Sequence, residues 1–136
     1  PVIPADVMMD CTMDYDSLSA AGSGLGSGAV IVMDETTDMV KALQRLSRFY
    51  YAESCGQCTP CREGGGWLYR IVTRIVEGRG SMEDIDTLER AAGAIEGHTI
   101  CAFGEATAWP VQGMLKHFRH EFEYYVEHGR SMVGNG

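Results

Sequence analysis

The sequence predicts a mainly α-helical chain: a four-helix bundle preceded by a loop-rich segment that holds one strand-like run. Three observations carry that expectation. Downstream of Thr36, apolar residues recur at three- and four-residue spacing in separate stretches. Glycines and cap-forming residues separate those stretches, so the connections are short and successive helices run antiparallel. Upstream, periodicity gives way to prolines, glycines and a brief unbroken apolar run.

Taken in order, residues 1–34 open with Pro1 and Pro4, pass through Asp16, Ser17 and Leu18 as part of a loop-rich stretch, and reach Gly22, Gly24, Gly26 and Gly28. They close on Ala29, Val30, Ile31, Val32 and Met33, the pattern of a buried strand. A lone strand needs neighbours, so this reads as the tail of a small β-containing domain whose first half is absent. The stretch from Gly24 to Ala29 fits G-x-G-x-x-A on paper. A dinucleotide fingerprint follows a strand and opens a helix, whereas this one precedes a strand, so it is read as a flexible turn with no nucleotide role.

Met39, Leu43, Leu46 and Tyr50 stripe a first helix over about 37–52. Leu68, Ile71, Val72 and Ile75 stripe a second over about 60–77, ended by Gly78 and Gly80. Ser81 with Asp84 forms a capping-box signature for a third, striped by Ile85, Leu88, Ala92 and Ile95 and stopped by Gly97. A fourth is expected to start near Thr107, with Pro110 tolerated in its first turn, and to run through Val111, Leu115, Phe118, Phe122 and Tyr125 to Gly129. The resulting division is 1–34, a helical domain over 35–129, and a flexible tail over 130–136.

The chain's 136 residues suffice for one domain with a real core. Eleven basic against nineteen acidic side chains give a net charge of −8, which disfavours nucleic acid and anionic lipid as partners. The longest apolar run, 29–33, is far too short to cross a bilayer, so no direct membrane insertion is expected. The chain opens at Pro1 without a basic-then-apolar leader, and the expectation is a piece of a longer protein.

Five cysteines are present, and Cys55, Cys58 and Cys61 form C-x2-C-x2-C. That spacing is too close for a disulfide ladder and lets one folded loop aim three sulfurs at a small object. A cubane cluster takes three thiolates from one side and a fourth from elsewhere. Cys101 lies in the turn between the third and fourth helices, which an antiparallel bundle brings to the same end as the Cys55 loop. The expected ligands of a [4Fe-4S] cluster are therefore Cys55, Cys58, Cys61 and Cys101. Zinc sites usually pair two C-x2-C elements, which fits this three-plus-one arrangement poorly. Cys11 is left out as a structural or spare thiol. Thiolate ligands point to a reducing compartment.

The stretch ESCGQCTPCREG, followed by GHTICAFGEATAWPVQG, resembles the C-terminal part of the flavoprotein subunit of respiratory complex I, the NADH-oxidising subunit of NADH:quinone oxidoreductase. The resemblance runs from about Ser17 to Glu127. It implies that the four cysteines bind a [4Fe-4S] cluster and that residues 1–34 end a β-grasp (ubiquitin-like, SLBB-like) domain. It also implies that FMN and NADH sit on an upstream domain outside these residues. The implied function is electron transfer, with single electrons taken from FMN after NADH oxidation and relayed to iron–sulfur subunits of the peripheral arm. The residues would then be part of an enzyme, on the cytoplasmic side of a bacterial inner membrane or the mitochondrial matrix side, yet inactive with NADH alone. The same module in an NAD-linked hydrogenase or formate dehydrogenase is one alternative. Another is a docking element whose cluster mainly staples the bundle. The family more often has Leu where this chain has Phe103, close to the edge implied to face the flavin.

Other residues have plainer readings. His98 is expected to donate a hydrogen bond in its loop, and His117 and His120 to lie on an exposed helix face. Arg62 either offsets the negative charge of a cluster or is a surface arginine, and the sequence leaves both open. Gly56, Gly64, Gly65 and Gly66 either bring backbone N–H groups to cluster sulfur or make room for a turn. Trp67 and Trp109 read as core residues near the site, and Glu53 and Glu63 as solvated charges.

Overall fold

The computed structural model describes residues 2–134; Pro1, Asn135 and Gly136, at the outer ends of the expected segments 1–34 and 130–136, lie outside the described residues. Six helices follow one another: α1 (Ala5–Asp10), α2 (Tyr15–Ala20), α3 (Met39–Glu53), α4 (Thr59–Val76), α5 (Met82–Ile95) and α6 (Phe103–His128).

The last four form the bundle. Each packs against its neighbours in the cycle α3–α4–α5–α6, and α4 also meets α6 across the diagonal. The apolar stripes meet inside: Leu43, Leu68, Val72, Ile85, Leu88, Val111 and Phe122 are fully buried. Loops 54–58 and 96–102 consequently lie at one end, and loop 77–81 at the other, where Gly78 approaches Gly129.

The capping residues divide by end. At the far end Asp38 caps α3 through the Lys41 N–H at 2.9 Å, and Ser81 with Asp84 closes a capping box on α5. At the near end α4 and α6 begin after Cys58 and Ala102 without a side-chain cap.

The glycine run sits within α4, not in a turn. A Cβ on Gly64 would stand 2.8 Å from Ile95 of α5, and one on Gly66 2.9 Å from the Tyr51 ring of α3. Gly65 lies against the Tyr51 backbone and Thr107 of α6. These residues let three helices close on α4. Their amides belong to its helical ladder, which corrects the reading of them as a turn or as cluster contacts.

Three further expectations are corrected. Residues 29–33 form no strand: Val30, Ile31 and Val32 are 63%, 79% and 74% exposed, and no strand occurs among the described residues. Their backbone has no partner here with which to build a ladder. Residues 16–18 are helical, because the Asp14 carboxylate caps α2 by accepting from the Ser17 N–H at 2.7 Å. The fourth helix starts at Phe103 instead of near Thr107, so Pro110 lies in its interior; the backbone departs from helical geometry only later, at Phe118.

The short helices α1 and α2 bury no residue and pack on none of the long helices. Val2, ahead of them, packs against the core beside Gly113 of α6.

One carboxyl is buried at the far end. Glu121 accepts from the Met39 N–H at 3.1 Å, while the Tyr125 hydroxyl donates to Asp38. Burial pushes the Glu121 carboxyl above its ordinary value of 4.5; the Met39 N–H and His120 oppose the shift and the nearby Asp38 adds to it. Burial, and then Asp38, likewise push the Tyr125 phenol up.

This packing is testable at two glycines and at the buried carboxyl. Gly64→Val should lower the urea midpoint, since overpacking a closed site costs about 1–3 kcal/mol and outweighs the small helix-propensity gain. Gly93→Ala, where a Cβ would meet only open space, should raise the midpoint, through a stabilisation of roughly 0.5–1 kcal/mol. For Glu121 the folded state holds its proton more tightly than the unfolded one, so its contribution to stability is complete below pH 4.5 and is lost as pH rises through the raised value. The stability of the native protein minus that of Glu121→Gln should therefore decline over that window; a flat or rising difference would contradict the shift.

Candidate iron–sulfur site

The end where loops 54–58 and 96–102 meet carries a cavity of about 310 Å³. Its lining includes Cys55, Cys58, Cys61 and Cys101, together with Ser54, Thr99, Ile100 and Phe103. All four cysteines expected from the sequence are thus brought together, and all are free thiols. Cys61 is buried at 7% exposure, Cys58 is half-buried, and Cys55 and Cys101 are exposed.

Local chemistry shapes the first loop. Its turn passes through Gly56 at φ 78°, a left-handed conformation that glycine adopts without a Cβ penalty. Arg62 clamps that turn, donating from one guanidinium nitrogen to the Gly56 carbonyl at 2.6 Å and from Nε to Glu63 at 3.0 Å. The arginine is therefore a strut of the loop, and Glu63 is its ion-pair partner. The Ser54 hydroxyl lies 3.3 Å from Cys61 Sγ and accepts from the Gly56 N–H at 3.3 Å.

The second loop is tied to α6. The Glu96 carboxylate accepts from Trp109 Nε1 at 2.7 Å and Gln112 Nε2 at 2.9 Å, and these donors, Gln112 first, hold its carboxyl below its ordinary value. Glu105 accepts from the Gly97 N–H at 2.9 Å, and Thr99 Oγ1 donates to the Cys101 carbonyl at 2.9 Å. Gly104 leaves the room that the Thr99 side chain fills. The loops join where the Ile100 N–H points at Cys58 Sγ, 3.4 Å away.

Ser54, Glu96, Glu105 and Thr99 were not singled out from the sequence. Only the proximity of Ser54 and Thr99 to cysteines hinted at them, and Glu96 acts through a partner thirteen positions on. Trp67 and Trp109 are 56% and 41% exposed, which corrects their reading as core residues: the Trp109 indole N–H reaches out to a loop carboxylate. His98 uses Nδ1 on the Glu96 carbonyl at 2.8 Å, His117 is half-buried and His120 exposed. Cys11 lies in a different pocket, with Asp6, Asp10 and Ser17. Phe103 lines the cavity and stands edge-on to Tyr50, with ring centroids 5.4 Å apart.

Four thiols lining one cavity are a donor set that fits an iron–sulfur cluster. The starts of α4 and α6, which have no side-chain cap, also point their helix dipoles at this end, where negative charge is favoured.

Comparison with known proteins decides the family. The model of the NADH-ubiquinone oxidoreductase-F iron-sulfur binding region matches residues 41–125. The chain belongs to this family. Among its relatives, an NADH-quinone oxidoreductase subunit of Rhizobium meliloti is 54% identical over 137 residues, covering 100% of this chain and 32% of that protein. The mitochondrial NADH dehydrogenase [ubiquinone] flavoprotein 1 of Dictyostelium discoideum is 57% identical over 123 residues, covering 90% of this chain and 26% of that protein. The chain thus spans a third or less of the curated relatives it matches. A crystal structure of an NAD+-reducing [NiFe]-hydrogenase in the H2-reduced state superposes with a TM-score of 0.69 at 33% identity, over 73% of this chain and 17% of that one. No helix among the described residues is long and apolar enough to cross a membrane.

Proposed function

We propose that Cys55, Cys58, Cys61 and Cys101 hold one [4Fe-4S] cluster and that the chain serves as a one-electron relay within a longer subunit of an NADH:quinone oxidoreductase. The observation that carries this reading is the convergence of four free thiols, from two loops distant in sequence, on one cavity. When bound, such a cluster accepts and releases one electron at a time. The protein's part is to set ligand positions, exclude water on the Cys61 side and supply hydrogen bonds to sulfur.

In the longer protein the electrons would come from FMN after NADH oxidation and leave for iron–sulfur subunits of the peripheral arm. That assembly would sit on the cytoplasmic or matrix face of the membrane. The names of the relatives support a subunit of an NADH-oxidising quinone or ubiquinone reductase. Residues 35–129 form the iron–sulfur domain on this reading. Residues 1–34 complete a β-grasp domain, in which the exposed run 29–33 would find the strand partners it lacks here. The superposition on an NAD+-reducing hydrogenase favours, as a second reading, the same module in an NAD-linked hydrogenase.

Assembled anaerobically, the chain should carry about four irons and about four sulfides. Cys101→Ala should lose or degrade that cluster and melt at lower temperature, while Cys11→Ser should match the parent in iron, sulfide and reduced-state spectrum. Full iron content in Cys101→Ala would overturn the ligand set. A hydride cannot enter a one-electron centre without a flavin, and the glycine-rich turn at 24–28 opens no helix. The loaded chain should therefore be reducible by dithionite yet show no NADH-dependent ferricyanide reduction, with or without added FMN. Saturable NADH turnover above a protein-free control would place a dinucleotide site within these residues.

A further inference from the structure

We propose that the Ser54 hydroxyl donates a hydrogen bond to the Cys61 ligand sulfur and thereby holds the reduction potential of the site above the value its thiolates alone would set. The inference rests on the cluster reading above and concerns a residue outside the ligand set. Ser54 is the C-cap of α3, its own N–H fixed on the Tyr50 carbonyl at 3.1 Å. Its Oγ accepts from the Gly56 N–H at 3.3 Å and lies 3.3 Å from Cys61 Sγ. With one lone pair engaged by Gly56, the hydroxyl proton is free to turn to the sulfur. A free thiol could be either donor or acceptor in this pair. A thiolate bonded to iron has no proton, so there the direction is set: oxygen donates and sulfur accepts.

The burial of Cys61 gives this bond its weight. Cys61 is the most buried of the four thiols, and in a dry surrounding a hydrogen bond is electrostatically stronger than in water. A donor on a ligand sulfur withdraws electron density and stabilises the reduced, more negative state, which raises the potential. Cys58 receives a comparable bond from a backbone amide, the Ile100 N–H. The Ser54 bond comes from a side chain and can be removed alone.

The test is a mediator-poised redox titration followed by paramagnetic resonance, in which each cluster takes up one electron, on the chain, Ser54→Ala and Ser54→Thr, with iron and sulfide counted first. The Ala variant should titrate at a lower midpoint than the parent, and Thr, which keeps the hydroxyl, should return toward it. Because a midpoint does not depend on the amount of cluster, partial occupancy in a variant leaves the comparison valid. An unchanged midpoint in Ser54→Ala overturns the inference, as does a Thr variant that falls as far as Ala. If the Ala variant assembles no cluster, Thr is compared with Val at the same position, since these match in shape and differ in the hydroxyl. Val must then lie below Thr, and equality overturns the inference. A parent chain that holds no iron overturns the cluster reading itself, whereas a full cluster with insensitive potential removes only the role of Ser54.

Discussion

The arrangement depends on the antiparallel packing of four helices, which decides which helix ends share a face. Because α3 and α5 start at one end, α4 and α6 must start at the other, and the two cysteine-bearing loops are the connections that feed them. The far starts are closed by Asp38 and by the Ser81–Asp84 box, so their amides are satisfied within the protein. The near starts are left open, with Cys58 in the capping position of α4 and Cys61 in its first turn. A thiol in place of Ser or Asp forgoes a strong cap, and the negative charge of the proposed cluster would compensate electrostatically. The capped starts and the uncapped starts thus lie at opposite ends of the bundle, and the cysteines lie at the uncapped end.

Holding two loops at a fixed separation requires the helices beneath them not to slide. Three consecutive glycines are a poor choice for a helix on propensity alone, at about 1 kcal/mol each relative to Ala. Here they remove the side chains that would hold α3, α5 and α6 away from α4, directly below the Cys61 turn. Ile95, which fills the space above Gly64, is the last residue of α5, so the start of the Cys101 loop is seated on the same contact. The bonds from Trp109 and Gln112 to Glu96, and from Gly97 to Glu105, then hold that loop onto α6. Local helix propensity is sacrificed where the relative height of the two loops is determined.

The bundle and three of its thiols are legible in the sequence because both rest on spacing, and Cys101 follows from the antiparallel order of the helices. Helical stripes such as Ile85, Leu88, Ala92 and Ile95 recur with the period of the backbone, and C-x2-C-x2-C is a local pattern. What was not legible depends on partners remote in sequence. Val30 to Val32 has the composition of a buried strand, but burial and pairing need a neighbour that composition cannot supply. Pro110 suggested a late helix start because proline suits a first turn; α6 begins earlier, since Ala106 already bonds back to Ala102. Trp109 reads in sequence as a core residue near the site, whereas its N–H is committed to a carboxylate at the surface. Helix α2 is too short for periodicity and shows itself only through the Asp14 cap.

The uneven burial of the thiols bears on the choice between a relay and a staple. A centre kept only to tie loops together gains most when every ligand is shielded, because shielding protects the sulfur–metal bonds from exchange and oxidation. Here Cys61 is enclosed and hydrogen-bonded to Ser54, while Cys55 and Cys101 face outward, beside Ile100 at 82% exposure. Electron transfer needs close approach by a donor or acceptor and no room for a substrate, so an open flank suits it where a deep cleft would not. The buried flank would suit tuning by the proposed Ser54 bond, since a hydrogen bond is stronger where water is scarce. On the proposed ligand set, one enclosed ligand and two near the surface would serve a centre that must be both poised and reached, which favours the relay.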